Sequence, residues 1–284
     1  MKRLNPKQVQ KIAFTALFTA NLLVILPVGF ILFIIFKEGM PAISLEFLTA
    51  MPKMGMRAGG IFPAIIGTLY LVLVTLIFAL PLGVLSAVYL TEYAKDNILT
   101  RLVKLAIINL AGVPSVVYGL FGLGLFVTFL KFGASILAGG LTLALMVLPI
   151  IITTSREALD SVPASFREVS FSLGATKWQT IRYSVLPNAL PGILTGIILA
   201  ISRAAGETAP ILFTVAAFYL PKLPDSVFDQ VMALPYHLYV ISTQVPNVEP
   251  KVRYGTALVL LAIVLTLNLL AIVVRSHFRK QKKW

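Results

Sequence analysis

The chain has 284 residues, of which 58% are hydrophobic and only 12% are charged, and its mean hydropathy is +0.92. This composition excludes a soluble domain of this size and indicates an integral membrane protein. Cysteine is absent, which excludes a disulfide framework and thiol catalysis. The two histidines, His237 and His277, are too distant in sequence to indicate a metal site or a Ser-His-Asp triad.

Six apolar segments are long enough to cross a bilayer, whose hydrocarbon core takes about 20 apolar residues in a helix. The fifth segment contains Arg203 and Glu207, and the other five contain no charged residue. We therefore predict an all-α integral membrane protein with six transmembrane helices, the first of them retained rather than cleaved as a signal peptide. In chain order the segments are residues 12–36, 58–91, 105–130, 132–155, 191–218 and 254–274.

The basic residues predict the orientation of these helices. With the N-terminus placed in the cytoplasm, 16 of the 24 Lys and Arg residues lie inside, seven lie outside and Arg203 lies within a span. The positive-inside rule then places both termini in the cytoplasm, so the net charge of +13 indicates topology rather than nucleic-acid binding. We expect three parts: residues 1–58 (cytoplasmic tail, first helix, external loop), a transmembrane core at 59–275 with a cytoplasmic loop at 156–189, and a basic tail at 276–284.

Two external loops are longer than the others, at residues 37–57 and 219–253. Within the second loop, residues 225–234 lie between prolines and predict one short helix on the membrane surface. Both functions remain open for these loops: they connect spans, or they dock an external partner.

The cytoplasmic loop has the pattern of two short amphipathic helices. Ser165 and Glu168 have the spacing of a capping box, which predicts Ser165 as the N-cap of the first helix. Gly174 is where we expect this helix to end in a left-handed turn. The second helix is predicted from Thr176 to the Leu-Pro pair at 186–187. Apolar stripes on such helices need a partner, either lipid headgroups or a protein groove.

The charged pair in the fifth segment is the candidate functional site. Arg203 and Glu207 are four residues apart, which places them on one face of a helix. A charge at mid-membrane depth costs about 2.5–3.5 kcal/mol on insertion scales, so it faces a cavity or a partner. A guanidinium matches the oxygens of a tetrahedral oxyanion, and a neighbouring carboxylate would accept a hydrogen bond from phosphate and repel sulfate. A structural salt bridge, and a pair opened by the anion, remain as alternatives.

The residues around this pair predict a helix break and close packing. Pro210 has no N–H, so the carbonyl of Gly206 loses its helical partner and the helix is weakened there. We expect another helix to pack against a stripe of small residues, with a companion subunit as one source of that helix. The stripe consists of Gly192, Gly196, Ala200 and Ala204.

Glu168, Gly174 and the Leu-Pro pair at 186–187 have a spacing that resembles a loop in the permease subunits of bacterial ABC importers. That loop has the pattern E-A-A-x-x-x-G, then nine residues, then I-x-L-P. The resemblance implies a coupling helix that sits in a cleft of an ATPase subunit. It implies a coupling role for Ser165, Glu168, Gly174 and Ala175. The departures from the pattern are Val169, Ser170 and Ser184.

Further segments extend the resemblance to phosphate-specific permeases, at residues 59–61, 64–69, 81–83, 92–94, 114–119 and 203–208. The chain is more similar to PstA-type permeases than to their PstC-type companions. The resemblance implies a type I ABC importer permease fold in the bacterial inner membrane. It also implies translocation of inorganic phosphate by alternating access, with Arg203, Glu207 and Thr208 in the path.

The same resemblance implies a set of partners for the chain. These are a PstC-type companion permease in a heterodimer, two copies of an ATP-binding subunit and an extracytoplasmic phosphate-binding protein. The chain has no P-loop pattern, so we expect ATP and magnesium on the ATPase, and no metal, cofactor or catalytic residue on this chain. A permease for another oxyanion and a secondary transporter driven by an ion gradient remain as alternatives. An intramembrane enzyme would need a catalytic constellation that the sequence does not contain.

Overall fold

A computed structural model describes residues 6–280. Predictions for residues 1–5 and 281–284, including the end of the basic tail, lie outside the described residues. The described part is helical apart from one antiparallel hairpin, β1 (Pro52–Lys53) and β2 (Ala58–Gly59). The helices are α1 (Pro6–Gly39), α2 (Leu45–Thr49), α3 (Phe62–Val88), α4 (Ile98–Ala111), α5 (Ser115–Gly122), α6 (Ile136–Asp160), α7 (Ala164–Ser172), α8 (Lys177–Thr180), α9 (Leu186–Gly206), α10 (Ala209–Thr214), α11 (Leu234–Thr243) and α12 (Pro250–Lys280). A short 3-10 helix follows α1 at Met40–Ala42, and π-helical turns extend α3, α5 and α8 at Tyr89–Tyr93, Leu123–Phe129 and Ile181–Val185.

The helical membrane architecture is confirmed. Within residues 6–280, five helices are long and apolar enough to cross a membrane, and a bent pair makes a sixth span if it is counted as one. The bent pair is α4 and α5 with its π-helical turn, which meet at 105°. The continuous span predicted at 105–130 is therefore wrong. Pro114 has no N–H and disfavours helical geometry in the residue before it, so the helix stops after Ala111.

The centre of the molecule is built from α3, α6 and α9. Gly83 of α3 lies against Ile151 of α6, and Gly140 of α6 lies against Val74 of α3. Because glycine carries no Cβ, the two backbones approach more closely than larger residues would allow. The α1 helix packs along α12 and presents apolar side chains outward, as a lipid-facing span does.

The small-residue stripe of α9 packs on α6 of the same chain. Gly192 lies against Ala158, and Gly196 lies against the side chain of Thr154. The other two members of the stripe, Ala200 and Ala204, are buried as well. A companion subunit is therefore not needed to cover this stripe.

The segment between α10 and α12 folds back into the protein instead of lying on the membrane. The N–H of Ala217 donates to the carbonyl of Val231 at 2.9 Å, and the N–H of Val231 donates to Val215 at 3.3 Å. The N–H of Leu234 donates to Oγ1 of Thr68 in α3 at 2.8 Å. These contacts bury residues 231–234 against the outer half of the helical core.

The short helix predicted at 225–234 is wrong. The Asp229 carboxylate accepts hydrogen bonds from the backbone N–H groups of Asp225 and Ser226, at 2.8 and 2.9 Å, and closes a turn. The helix α11 begins only at Leu234, where Pro235 occupies its first turn. Proline suits that position because the first helical N–H groups have no partner within the helix.

Candidate functional site

The segment predicted as a fifth continuous span is broken in the middle. The α9 helix ends at Gly206, Glu207 is extended (φ −76°, ψ 135°), and α10 begins at Ala209. Pro210 stands in the first turn of α10 and cannot donate to the carbonyl of Gly206. A Cβ on Gly206 would meet no heavy atom within 4 Å, so Gly206 acts at the end of the helix and not in packing.

Arg203 and Glu207 lie at this break. Arg203 is in the last turn of α9, and its Nε is 3.3 Å from Oε1 of Glu207. The side chains are 32% and 19% exposed, so the pair is only half-buried within this chain. Among the described residues, Nη1 and Nη2 of Arg203 have no hydrogen-bond acceptor, which leaves the fork of the guanidinium open. Thr208 is next to the pair, and its hydroxyl has no partner among the described residues.

The α5 helix lies directly against the break and holds it in place. A Cβ on Gly119 would be 3.0 Å from Cα of Pro210 and 3.1 Å from the carbonyl oxygen of Ala209. Tyr118, buried beside it, donates its hydroxyl to the carbonyl of Leu110 at 2.8 Å. Glycine at 119 therefore allows α5 and α10 to touch along their backbones.

The α12 helix holds α9 through two polar contacts that the sequence did not reveal. Ser202, the neighbour of Arg203, is 2.6 Å from Oδ1 of Asn268. Toward the cytoplasmic end of the same two helices, Arg275 donates a hydrogen bond to Oγ1 of Thr195 at 3.2 Å. Asn268 is the only amide side chain in the apolar segment 254–274. This residue was the signal that the sequence offered, because an amide in lipid needs a partner.

The first helix of the cytoplasmic loop does not begin as predicted. The N-cap of α7 is Pro163, which makes no side-chain cap, and the helix starts at Ala164. Ser165 therefore lies inside the first turn, and the predicted capping box is wrong. Glu168 is exposed on the surface of α7 and has no ion pair among the described residues.

The turn after α7 is the one that the sequence predicts. Gly174 has φ +79°, a left-handed conformation that glycine adopts without steric cost. The N–H of Ala175 donates to the carbonyl of Ser170 at 3.2 Å. Thr176 is then the N-cap of α8 in a complete capping box with Gln179. Backbone and cap hydrogen bonds therefore define the turn between the two helices of the loop.

The second helix of the loop does not stop at residues 186–187. It continues through the π-helical turn into α9, so residues Lys177–Gly206 form one candidate span. Pro187 is in the first turn of α9, and the wider π-helical turn before it accommodates the missing N–H. The cytoplasmic loop is thus continuous with the helix that carries Arg203.

Arg167 attaches α7 to the membrane core, and sequence reasoning counted it only as an inside positive charge. Its guanidinium is 2.6 and 3.1 Å from Oε1 of Glu92, at the cytoplasmic end of α3. It also donates to the carbonyls of Val162 at 2.9 Å and Leu159 at 3.1 Å. The two charged side chains are 21% and 9% exposed. No local pattern indicates this pair, because the residues are 75 positions apart.

The outer face of the loop is apolar and uncovered. Leu173 is 82% exposed and Tyr183 is 70% exposed, and Val169 and Trp178 are at least half exposed. A depression of about 470 Å³ lies between α7 and the π-helical turn. Its lining consists of Ser165, Phe166, Val169, Ser170, Leu173, Tyr183 and Ser184. An exposed apolar patch rimmed by polar groups is typical of a protein–protein contact site.

Comparison with known proteins identifies the family. Residues 79–283 match the family described as "Binding-protein-dependent transport system inner membrane component". The chain belongs to this family. It is 36% identical to "Phosphate transport system permease protein PstA 1" of Mycobacterium tuberculosis, over 96% of this chain and 89% of that one. It is 32% identical to "Probable ABC transporter permease protein YqgI" of Bacillus subtilis, over 94% and 95% of the two chains.

A solved bacterial alginate ABC transporter has the same fold. Its matching chain is only 15% identical, yet the TM-score is 0.69 over 93% of this chain and 94% of that chain. The present chain is therefore a multi-pass inner membrane permease of an ABC importer, and such a permease works with an ATPase and a binding protein. It is the membrane component and not itself the ATPase.

Proposed function

We propose that this permease moves inorganic phosphate across the inner membrane by alternating access. The observation that carries the proposal is the 36% identity to a phosphate transport permease over 96% of this chain. The chemistry of the pair at the break in α9 supports an oxyanion as the substrate. A guanidinium with an open fork and a half-buried carboxylate lie together there, at the end of a helix.

In the proposed path, each residue at the break has one task. Arg203 binds two phosphate oxygens through Nη1 and Nη2 in a bidentate contact. Glu207 accepts a hydrogen bond from the proton that phosphate retains near neutral pH. Sulfate has no such proton, so it would leave two negative charges facing each other. Thr208 offers a hydroxyl to a further oxygen. The Arg203–Glu207 contact opens as the anion replaces Glu207 on the guanidinium.

The proposed coupling follows from the continuity of the loop with α9. Lys177 and Arg203 are 26 residues apart in one nearly uninterrupted helix, a length of about 39 Å at 1.5 Å per residue. An ATPase that pushes on the apolar face of α7 and α8 would move this helix as a rigid body. Arg167 would transmit the same push to α3 through Glu92. Glu168, Gly174 and Ala175 act in this proposal by shaping the surface that the ATPase contacts.

The proposed assembly is a heterodimer with a PstC-type companion permease, two ATP-binding subunits below it and a phosphate-binding protein above it. ATP and magnesium would be bound by the ATPase subunits. The half-open Arg203–Glu207 pair supports a companion, because a charged site within lipid requires a second wall. The uncovered apolar face of the loop supports an ATPase as the cytoplasmic partner.

The test is anion uptake into proteoliposomes that hold this chain with its co-expressed partner subunits. With ATP on the ATPase side, we expect uptake of phosphate and little uptake of sulfate. ATP-dependent uptake of sulfate in place of phosphate would change the proposed substrate but leave the proposed transporter class, an ABC importer, unchanged. Uptake that ignores ATP and follows an imposed ion gradient would contradict the proposal as a whole.

Two variants separate the tasks of the charged pair. Arg203→Lys keeps the charge and loses the fork, and we expect the KM for phosphate to rise at least tenfold. Glu207→Gln keeps the shape and loses the charge, and we expect sulfate uptake to approach phosphate uptake. Unchanged kinetics in Arg203→Lys, together with unchanged discrimination in Glu207→Gln, would make the pair a structural salt bridge.

A further inference from the structure

The α4 helix is bent sharply away from α5 instead of forming one straight span with it. It begins at the N-cap Asn97, four residues after the cytoplasmic end of α3, and it meets α5 at 105°. Its buried residues are Thr100 and Ile107, and Ile107 packs with Leu90 of the π-helical turn after α3 and with Ile152 of α6. These contacts place α4 near the cytoplasmic surface of the membrane.

The remaining surface of α4 is divided into an apolar arc and a basic edge. At about 100° per residue, four exposed apolar residues fall within an arc of about 120°. Lys104 points away from the centre of this arc, and Arg101 lies about 40° beyond its border. One further apolar residue that is more than half exposed, Ile108, lies outside the arc, between these two basic residues. A helix with this division lies in the plane of a membrane interface, its apolar face toward the acyl chains. The four residues are Ile98, Leu99, Leu102 and Leu105, each more than half exposed.

The basic edge of α4 carries a net positive charge, and one of its basic residues is paired with an acidic residue. Residues 95–104 contain Lys95, Arg101 and Lys104 against a single acidic residue, Asp96. Asp96 holds Arg101 in a two-point contact, with Oδ1 at 3.0 Å from Nε and Oδ2 at 2.8 Å from Nη2. Both side chains of this pair are about 70% exposed, at 69% and 70%. The local net charge of residues 95–104 is therefore +2.

We propose that α4 is an interfacial helix that binds anionic phospholipid of the cytoplasmic leaflet. Lys95, Lys104 and Arg101 contact the headgroups, and the apolar arc contacts the acyl chains. Basic clusters beside a membrane surface attract anionic lipid by about 1 kcal/mol per residue, which is about fivefold in binding. A membrane interface explains the apolar arc and the basic edge together, whereas a protein partner would explain the apolar arc alone.

The absence of cysteine in the chain allows a direct test. Leu102→Cys introduces one cysteine on the apolar arc, and a fluorescent label is attached to it. The labelled chain is then assembled with cysteine-free partner subunits in phosphatidylcholine vesicles. A small fraction of spin-labelled phosphatidylglycerol, or of spin-labelled phosphatidylcholine, is added as the quencher. We expect stronger quenching by the anionic lipid. Absence of quenching by both lipids would mean that protein covers α4, and equal quenching would mean contact without charge recognition; either result overturns the proposal.

Variants of the basic edge change the preference in opposite directions. Lys104→Gln should lower the preference for phosphatidylglycerol about fivefold. Asp96→Asn should raise it by a similar factor, because it frees the guanidinium of Arg101 and adds one net positive charge. Arg279→Gln, an exposed basic residue at the cytoplasmic end of α12, is the matched control and should leave quenching unchanged. A rise with Asp96→Asn cannot come from loss of folding, and an equal effect of Arg279→Gln would overturn a specific site on α4.

Discussion

Replacing Arg167 by methionine should uncouple ATP hydrolysis from transport while the membrane core stays folded. Methionine keeps an apolar stem and removes the donors that reach Glu92 and the carbonyls of Leu159 and Val162. Glu92, only 9% exposed, is left without its cation. Breaking a buried ion pair in this way costs about 3–5 kcal/mol, and because Arg167 is 21% exposed we expect the lower end, about 3 kcal/mol.

That free energy acts on the attachment of α7 and not on the packing of α3, α6 and α9. A change of about 3 kcal/mol shifts the equilibrium between attached and detached α7 by about 100-fold. The assay measures phosphate uptake and ATP hydrolysis in the same proteoliposomes. In Arg167→Met, we expect hydrolysis to continue and the phosphate moved per ATP to fall strongly.

The matched control is Arg182→Met, which removes an equal charge from the same loop. Arg182 lies over the ring of Tyr183 at 5.4 Å and makes no ion pair among the described residues. We expect near-normal coupling in this control. Adding Glu92→Gln to Arg167→Met should recover part of the loss, because it removes the unpaired charge. The role of Arg167 in attaching α7 would be refuted by either of two results. One is a wild-type ratio of phosphate moved to ATP hydrolysed in Arg167→Met, and the other is an equal fall of this ratio in Arg182→Met.

Three further predictions concern packing, the loop turn and pH. Gly196→Leu should lower the melting temperature of the purified chain, because its side chain would overlap Thr154, whereas Gly206→Ala should leave it unchanged since nothing lies within 4 Å. Gly174→Trp should abolish coupling, because φ +79° disfavours a side chain and the indole would project into the ATPase contact; a variant that still couples ATP hydrolysis to uptake would contradict the contact. Burial lowers the pKa of His237 from 6.5 to about 4, so the unfolded state binds the proton first. Stability is then complete above pH 6.5 and falls by up to about 3 kcal/mol as pH drops toward 4, which melting curves of wild type and His237→Phe would compare.

The helix break at residues 206–209 shows where local reasoning works. A proline without an N–H acts on its own helix within four residues, so the weakened backbone at Gly206 was visible in the sequence. The turn at Gly174 and the capping box at Thr176 are local in the same sense. Ser165 shows the limit of a pattern, because two residues with capping-box spacing do not decide which of several neighbouring positions starts the helix.

Other features of the site depended on contacts that no local pattern contains. The pattern around 186–187 predicts a stop, yet a π-helical turn accommodates the proline and joins the loop to α9. The segment at 225–234 has the composition of a surface helix, yet hydrogen bonds to Val215 and Thr68 hold its end inside the protein. In both cases the backbone follows the packing around it and not its own propensity.

The sequence by itself determined the class of this protein and the places of most of its spans, and it predicts their orientation. Each residue contributes its own transfer free energy and charge to membrane insertion. These contributions can be summed along the chain without knowledge of the tertiary contacts. Only the tertiary structure decided that Arg167 pairs with Glu92, that Asn268 holds Ser202 and that α6 fills the small-residue stripe of α9. Each of these contacts joins residues far apart in sequence, and a polar group within the membrane core is stable only where such a partner meets it.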